Sequence, residues 1–219
     1  MCNYAKPGDW DLGFSTADEY CDYYGEPYIN EENELERVPL DTTSFPADEK
    51  IEGVLEGAFD HCKKLESVVI PKNIWKGIAG RAFAYCENLT SIVVEDGSPL
   101  FDSRDNCNAV ISTADNELYE GCKNTVIPSS VVCIQTDAFM GCIGLETIVV
   151  PEGVQKIYHK AFANCKDLKS IDLPNSISII DKTVFDGCDA LETIYIPAGT
   201  KQKFESLIPE YKDKLKYKD

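Results

Sequence analysis

Ten cysteines, two histidines and a run of carboxylates and carboxamides near position 105 are the residues of this 219-residue chain whose types could do chemistry. Cysteine can serve as a nucleophile, a disulfide partner or a metal ligand, and each role demands its own spacing or partner. Cys62 and Cys86 stand 24 residues apart, and Cys142, Cys165 and Cys188 recur every 23. Each follows a phenylalanine by three residues, in an Ala-Phe-x-x-Cys or Val-Phe-x-x-Cys frame. Paired Cys-x-x-Cys spacing, the usual mark of a tetrahedral metal site, does not occur. A free thiol in such a frame packs as a small hydrophobe. These cysteines are expected to be reduced and structural.

The other groups are weaker candidates. His61 lies in Asp60-His61-Cys62 and His159 in Tyr158-His159-Lys160, at coil positions expected to be exposed. General acid–base work needs a positioned partner, and no local motif supplies one. Gly-x-Ser-x-Gly, phosphate-loop and dinucleotide fingerprints are absent. Asp102, Asp105, Asn106 and Asn108 could offer oxygens to calcium but fall outside the EF-hand frame. Turn formation is the favoured reading, since Asp and Asn are common turn residues. Asn88-Leu89-Thr90 matches a glycosylation sequon whose middle residue is a repeat position, so it reads as incidental. The expectation is a chain with no catalytic residues, no cofactor and no metal.

What positions the cysteines is a repeat. Leu145-Glu-Thr-Ile148-Val-Val-Pro151 returns as Leu168-Lys-Ser-Ile171-Asp-Leu-Pro174 and as Leu191-Glu-Thr-Ile194-Tyr-Ile-Pro197. Earlier copies start at Leu65 and Leu89. A second frame follows the proline: Val154-x-x-Ile157-x-x-x-Ala161-Phe162-x-x-Cys165, with partners starting at Ile51, Val131 and Ile177. Apolar residues two apart are strand spacing. Proline has no N–H to donate and marks where ladder pairing stops. One such coil buries too little to fold alone, so the coils must stack on a shared core.

The pattern resembles the BspA-like branch of the leucine-rich-repeat superfamily over roughly residues 51–219. The resemblance implies an α/β solenoid, a right-handed coil of about six to seven repeats with a parallel sheet on one face. Family members are typically bacterial or protist surface proteins that bind host or matrix proteins, or interaction modules of unknown role. The chain divides into an acidic segment or cap at 1–50, the solenoid at 51–199 and a C-terminal helical cap at 200–219. Leu35–Leu40 fits a degenerate first strand. Residues 95–128 form one long coil, with extra short strands expected at 109–112 and 117–119 around the Ala114-Asp115-Asn116 turn. Thr200 opens a helical apolar pattern that Pro209 should interrupt. Tyr20, Tyr23, Tyr24 and Tyr28 are read as an N-terminal cap in preference to a docking tail.

Net charge is −17, and residues 1–50 carry 13 acidic against 3 basic residues. Such a surface opposes nucleic acid and anionic membranes. It suits a basic protein partner, although solubility alone is the simpler account. No window approaches the length of a membrane span. Met1 to Trp10 has neither a basic nor an apolar leader region, so the chain is expected to be cytoplasmic if Met1 is native. If an export signal was removed, it is secreted or displayed at the cell surface.

In Leu-x-x-Ile-x-Val the residue after Ile points outward. That stripe reads Val69, Val93, Val126, Val149, Asp172 and Tyr195, and it is the candidate partner-binding site. Exposed valines in a row suit an interface. They equally suit strands as such. A monomeric, non-catalytic protein-binding scaffold is expected, either an exported adhesin or a cytoplasmic acidic inhibitor that captures a basic protein through its N-terminal segment.

Overall fold

The computed structural model describes residues 16–218. The Leu-x-x-Ile-x-Val frame forms β4 (Ser67–Ile70), β6 (Ser91–Val94), β11 (Thr147–Val149), β13 (Ser170–Asp172) and β15 (Thr193–Ile196). Residues alternate exposed and buried along β4, as a half-buried strand requires. Pairing is parallel and in repeat register: Val68 opposes Ile92, and Ile148, Ile171 and Ile194 stack in order.

Each coil then turns at its proline and crosses to a second, shorter parallel sheet. Its strands are β2 (Glu34–Arg37), β3 (Gly53–Val54), β5 (Gly77–Ile78), β10 (Cys133–Ile134), β12 (Lys156–Ile157) and β14 (Ile179–Ile180). The sheet expected on one face is thus accompanied by another, and the buried residues of the two faces meet between them. α-Helices among the described residues occur only near their ends, in α1 (Ala17–Tyr24) and α2 (Lys201–Leu207), so the expected α/β class narrows to a β-solenoid. About ten residues separate each proline from the next Ala-Phe pair, and crossing the core uses them up. The stack has about eight turns, against the six to seven counted from the repeats, because strands at both ends extend it.

The Ala-Phe-x-x-Cys turn closes each coil and builds two more ladders. Phe59 and Phe83 rings stack at 4.9 Å, and Phe162 stacks with Phe139 at 4.9 Å and with Phe185 at 6.1 Å. Cys86 Sγ donates to the Phe59 carbonyl at 3.1 Å, Cys165 to Phe139 at 3.0 Å and Cys188 to Phe162 at 3.0 Å. Cysteine suits this place because it is compact, apolar and still a weak donor. Burial pushes the Cys62 thiol up to about 12, which removes it from thiolate chemistry.

The ends depart from expectation in instructive ways. Leu35 pairs with Val54, so the first strand lies on the short sheet and not on the Leu-x-x-Ile-x-Val face. Parallel stacking therefore begins at Glu34, inside the segment read as a cap. Ahead of it, β1 (Tyr28–Ile29) runs antiparallel to β2, while Cys21 of α1 is buried with Tyr28. Tyr28, expected to cap the first coil, packs with Cys21 in a small cluster of its own; the side chains of Tyr20, Tyr23 and Tyr24 lie outside the described residues. At the C-terminus α2 stops before Pro209, as its ring requires, with Phe204 buried. The chain then adds β16 (Leu215–Tyr217), an unforeseen parallel strand beside β15.

Residues 95–128 interrupt both sheets. The expected extra strands are present: β8 (Ala109–Ser112) and β9 (Glu117–Gly121) form an antiparallel pair, flanked by β7 (Phe101–Asp102). All four residues of β8 are buried. Ala109 and Ile111 face the C-terminal core, and Val110 faces a separate N-terminal core. β8 is a partition between two hydrophobic cores.

Candidate binding face of the solenoid

The stripe read from the sequence lies on the long-sheet side, but unevenly. Val69, Val93, Val126 and Val149 are 52%, 42%, 72% and 57% exposed. Val126 belongs to no strand; its N–H donates to the Cys107 carbonyl of the interrupted coil. Its neighbours Thr125 and Ile127 are buried, so the alternation survives without the ladder.

The C-terminal end of the stripe is closed. Asp172 forms an ion pair with Lys218 at 2.6 Å, and Tyr195, half-buried, lies opposite Lys216 of β16. Lys216 Nζ also donates to Thr193 Oγ1 at 3.0 Å. Sequence reading missed this because Leu215-Lys-Tyr217 lacks the frame of the repeat; only its parallel placement makes it a strand. The apolar part of the stripe therefore ends at Val149.

The groups weighed for chemistry are engaged in holding turns. Asp102 takes the Arg104 guanidinium bidentately, with both contacts at 2.8 Å. Asp105, Asn106 and Asn108 all adopt positive φ, the turn conformation expected of Asp and Asn. His61 stacks on Tyr85 with 4.6 Å between centroids. His159 Nδ1 lies 2.9 Å from Thr183 Oγ1. Hydrogen bonds from the Thr183 hydroxyl and backbone N–H hold the Asp181 carboxyl below its ordinary value. Among the described residues no group of three or more His, Cys, Asp or Glu could hold a metal ion, and no helix is long and apolar enough to cross a membrane.

A parallel solenoid with a Phe and Cys ladder in every regular turn is matched by the family model for the BspA type leucine rich repeat region. Six copies cover residues 32–107 and 112–210. The chain belongs to that family. The gap between the two matched stretches falls inside the interrupted coil. No curated protein matches the sequence significantly. Two solved structures share the fold of this BspA-type chain. A leucine-rich repeat protein from Eubacterium ventriosum is 21% identical with a TM-score of 0.59, over 76% of this chain and 43% of its own. The pneumococcal vaccine antigen PcpA is 20% identical with a TM-score of 0.52, over 74% and 51% respectively. The chain spans about half the length of each.

Proposed function

We propose that this leucine-rich-repeat scaffold is a non-catalytic protein-binding module whose contact surface is the valine strip Val69, Val93, Val126 and Val149, with Asp172 and Tyr195 as its margin. One observation carries the reading: four valines, one in each of four successive coils, hold large exposed surfaces while every neighbour along each strand segment is small, polar or buried. Val69 and Val93 are register partners on neighbouring strands, where spacing is about 4.8 Å, and form one apolar patch; Val126 and Val149 lie beyond the break in the long sheet. The centre of the site moves from Tyr195, half-covered by β16, to Val126 and Val149. Two features support a protein partner over nucleic acid or an anionic membrane: the net charge of −17 and the apolar character of the strip.

The test is a titration of a partner captured with the wild-type chain. Val126→Asp and Val149→Asp each weaken binding by at least about thirtyfold, or about 2 kcal/mol, at unchanged melting temperature. Affinity that survives both changes, but is lost on deleting residues 1–34 and falls steeply with salt, would place the site in the acidic segment instead.

A further inference from the structure

In regular coils the turn amides donate to the next coil's turn carbonyls: Phe59 to Ala82, Phe139 to Ala161 and Phe162 to Val184, at 2.9, 2.7 and 3.0 Å. The coil that follows Phe83 lacks an Ala-Phe turn to supply such a carbonyl, and the Ala82 N–H, whose equivalents at Ala58, Ala138 and Ala161 donate within their own coil, turns to the next coil here. The Glu120 side chain replaces the missing carbonyl. Its Oε1 accepts from Ala82 N–H at 2.8 Å, and Phe83 N–H reaches the same carboxyl. Gly121 stands where regular coils carry phenylalanine, its N–H donating to Ala138 as Phe139 N–H does to Ala161. This is also where both sheets break and the two cores part. Other bonds cross the joint: Lys123 Nζ donates to the Glu87 carbonyl at 2.9 Å, and on the turn side the Tyr85 ring lies over Gly141 while Asn164 Nδ2 donates to the Tyr85 hydroxyl at 2.9 Å.

We propose that Glu120 is a proton-dependent clamp between the two halves of the solenoid, holding them together when neutral and loosening the joint when ionised. The clamp goes beyond the binding face, since Glu120 meets the Ala82–Phe83 turn. A neutral carboxyl offers a C=O acceptor in the role of the missing peptide carbonyl. An ionised one brings a charge into a site 2% exposed, beside the Cys86, Cys122 and Cys142 thiols. Asp137 faces it from the following turn and repels that charge. The Arg81 guanidinium nearby is engaged by Asp60 at 2.9 Å and Glu56 at 3.4 Å, and His159 and Lys160 act on Asp137 from the next coil. Asp60, Arg81 and Asp137 each leave a buried polar atom unpartnered at this joint. Burial outweighs the two N–H donors and lifts the Glu120 carboxyl well above the carboxylate range. A carboxyl raised in the folded joint stabilises it fully below the ordinary carboxylate pKa, and that contribution is lost as pH rises through the raised value.

The experiment is amide hydrogen exchange on the full chain across pH, corrected for intrinsic rates, in wild type and Glu120→Gln. The amide of glutamine keeps the acceptor and removes the proton. In wild type, protection of Ala82 and Phe83 falls with rising pH by up to about tenfold per unit, the limit set by one proton. Phe139 and Phe162, bonded to peptide carbonyls, stay flat in both proteins. Residual dipolar couplings from β4 and β6 reorient with pH relative to those from β11 to β15, in wild type alone. A wild-type slope at Ala82 and Phe83 no steeper than at Phe162, or the same slope in Glu120→Gln, would overturn the clamp. Unchanged relative orientation would overturn it equally. Should Glu120→Gln fail to fold, the contrast between Phe83 and Phe162 within the wild-type chain still decides.

Discussion

Between Thr147 and Ile196 each layer of the stack is completed by the adjacent coil, through peptide groups in two sheets, thiol-to-carbonyl bonds and stacked rings. At 95–128 side chains and an antiparallel hairpin take those places: Glu120 for a carbonyl, Gly121 for a phenylalanine, β8 for a coil. The contrast shows what a repeat buys and what it forgoes. Identical coils satisfy one another automatically, so their core is one cooperative unit. The interrupted coil needs particular residues, and it divides the interior into two cores.

The largest expected effect tests that division. Phe162 is fully buried between Phe139 and Phe185, and Phe162→Ala is expected to cost about 3–5 kcal/mol by emptying a core site. If the partition at β8 separates two units, exchange protection falls across β11 to β15 and is retained in β4 and β6. Uniform loss in both halves would show a single core.

A smaller effect probes the joint itself. A Cβ at Gly121 would lie 2.2 Å from Phe139 Cε1, in a packed interior with no room to yield. Gly121→Ala is expected to destabilise by about 1–3 kcal/mol through overpacking. The equivalent regular position tolerates a full phenylalanine ring, so a neutral Gly121→Ala would mean the ring of Phe139 does not lean into that place. Calorimetric melting distinguishes these outcomes.

The smallest effect sets the register of the regular coils. Lys160 lies two residues before Phe162 but outside the core, and its positive φ is no worse for alanine than for lysine. Lys160→Ala is expected to change stability by less than about 0.5 kcal/mol. A melting loss comparable to that of Phe162→Ala would place the repeat one position out.

Period and residue type alone determined the regular coils. Leu-x-x-Ile-x-Val can bury only one face of a strand, and Ala-Phe-x-x-Cys recurs at the same interval, so stacking on a shared core was the one arrangement that could bury both. The 109–112 and 117–119 strands and the break at Pro209 were legible for the same reason: local geometry dictates them. Exposure of the valine strip followed from alternation. What tertiary structure decided lies where partners are distant in sequence. Leu215–Tyr217 carries no frame of its own and becomes a strand only because β15 presents an unpaired edge. The second sheet arises because two residues per coil meet their equivalents one turn away. Glu120 reads as an ordinary strand acid; that it completes a hydrogen-bond ladder 38 residues back depends on which coil lacks a turn, a fact of stacking that no local pattern contains.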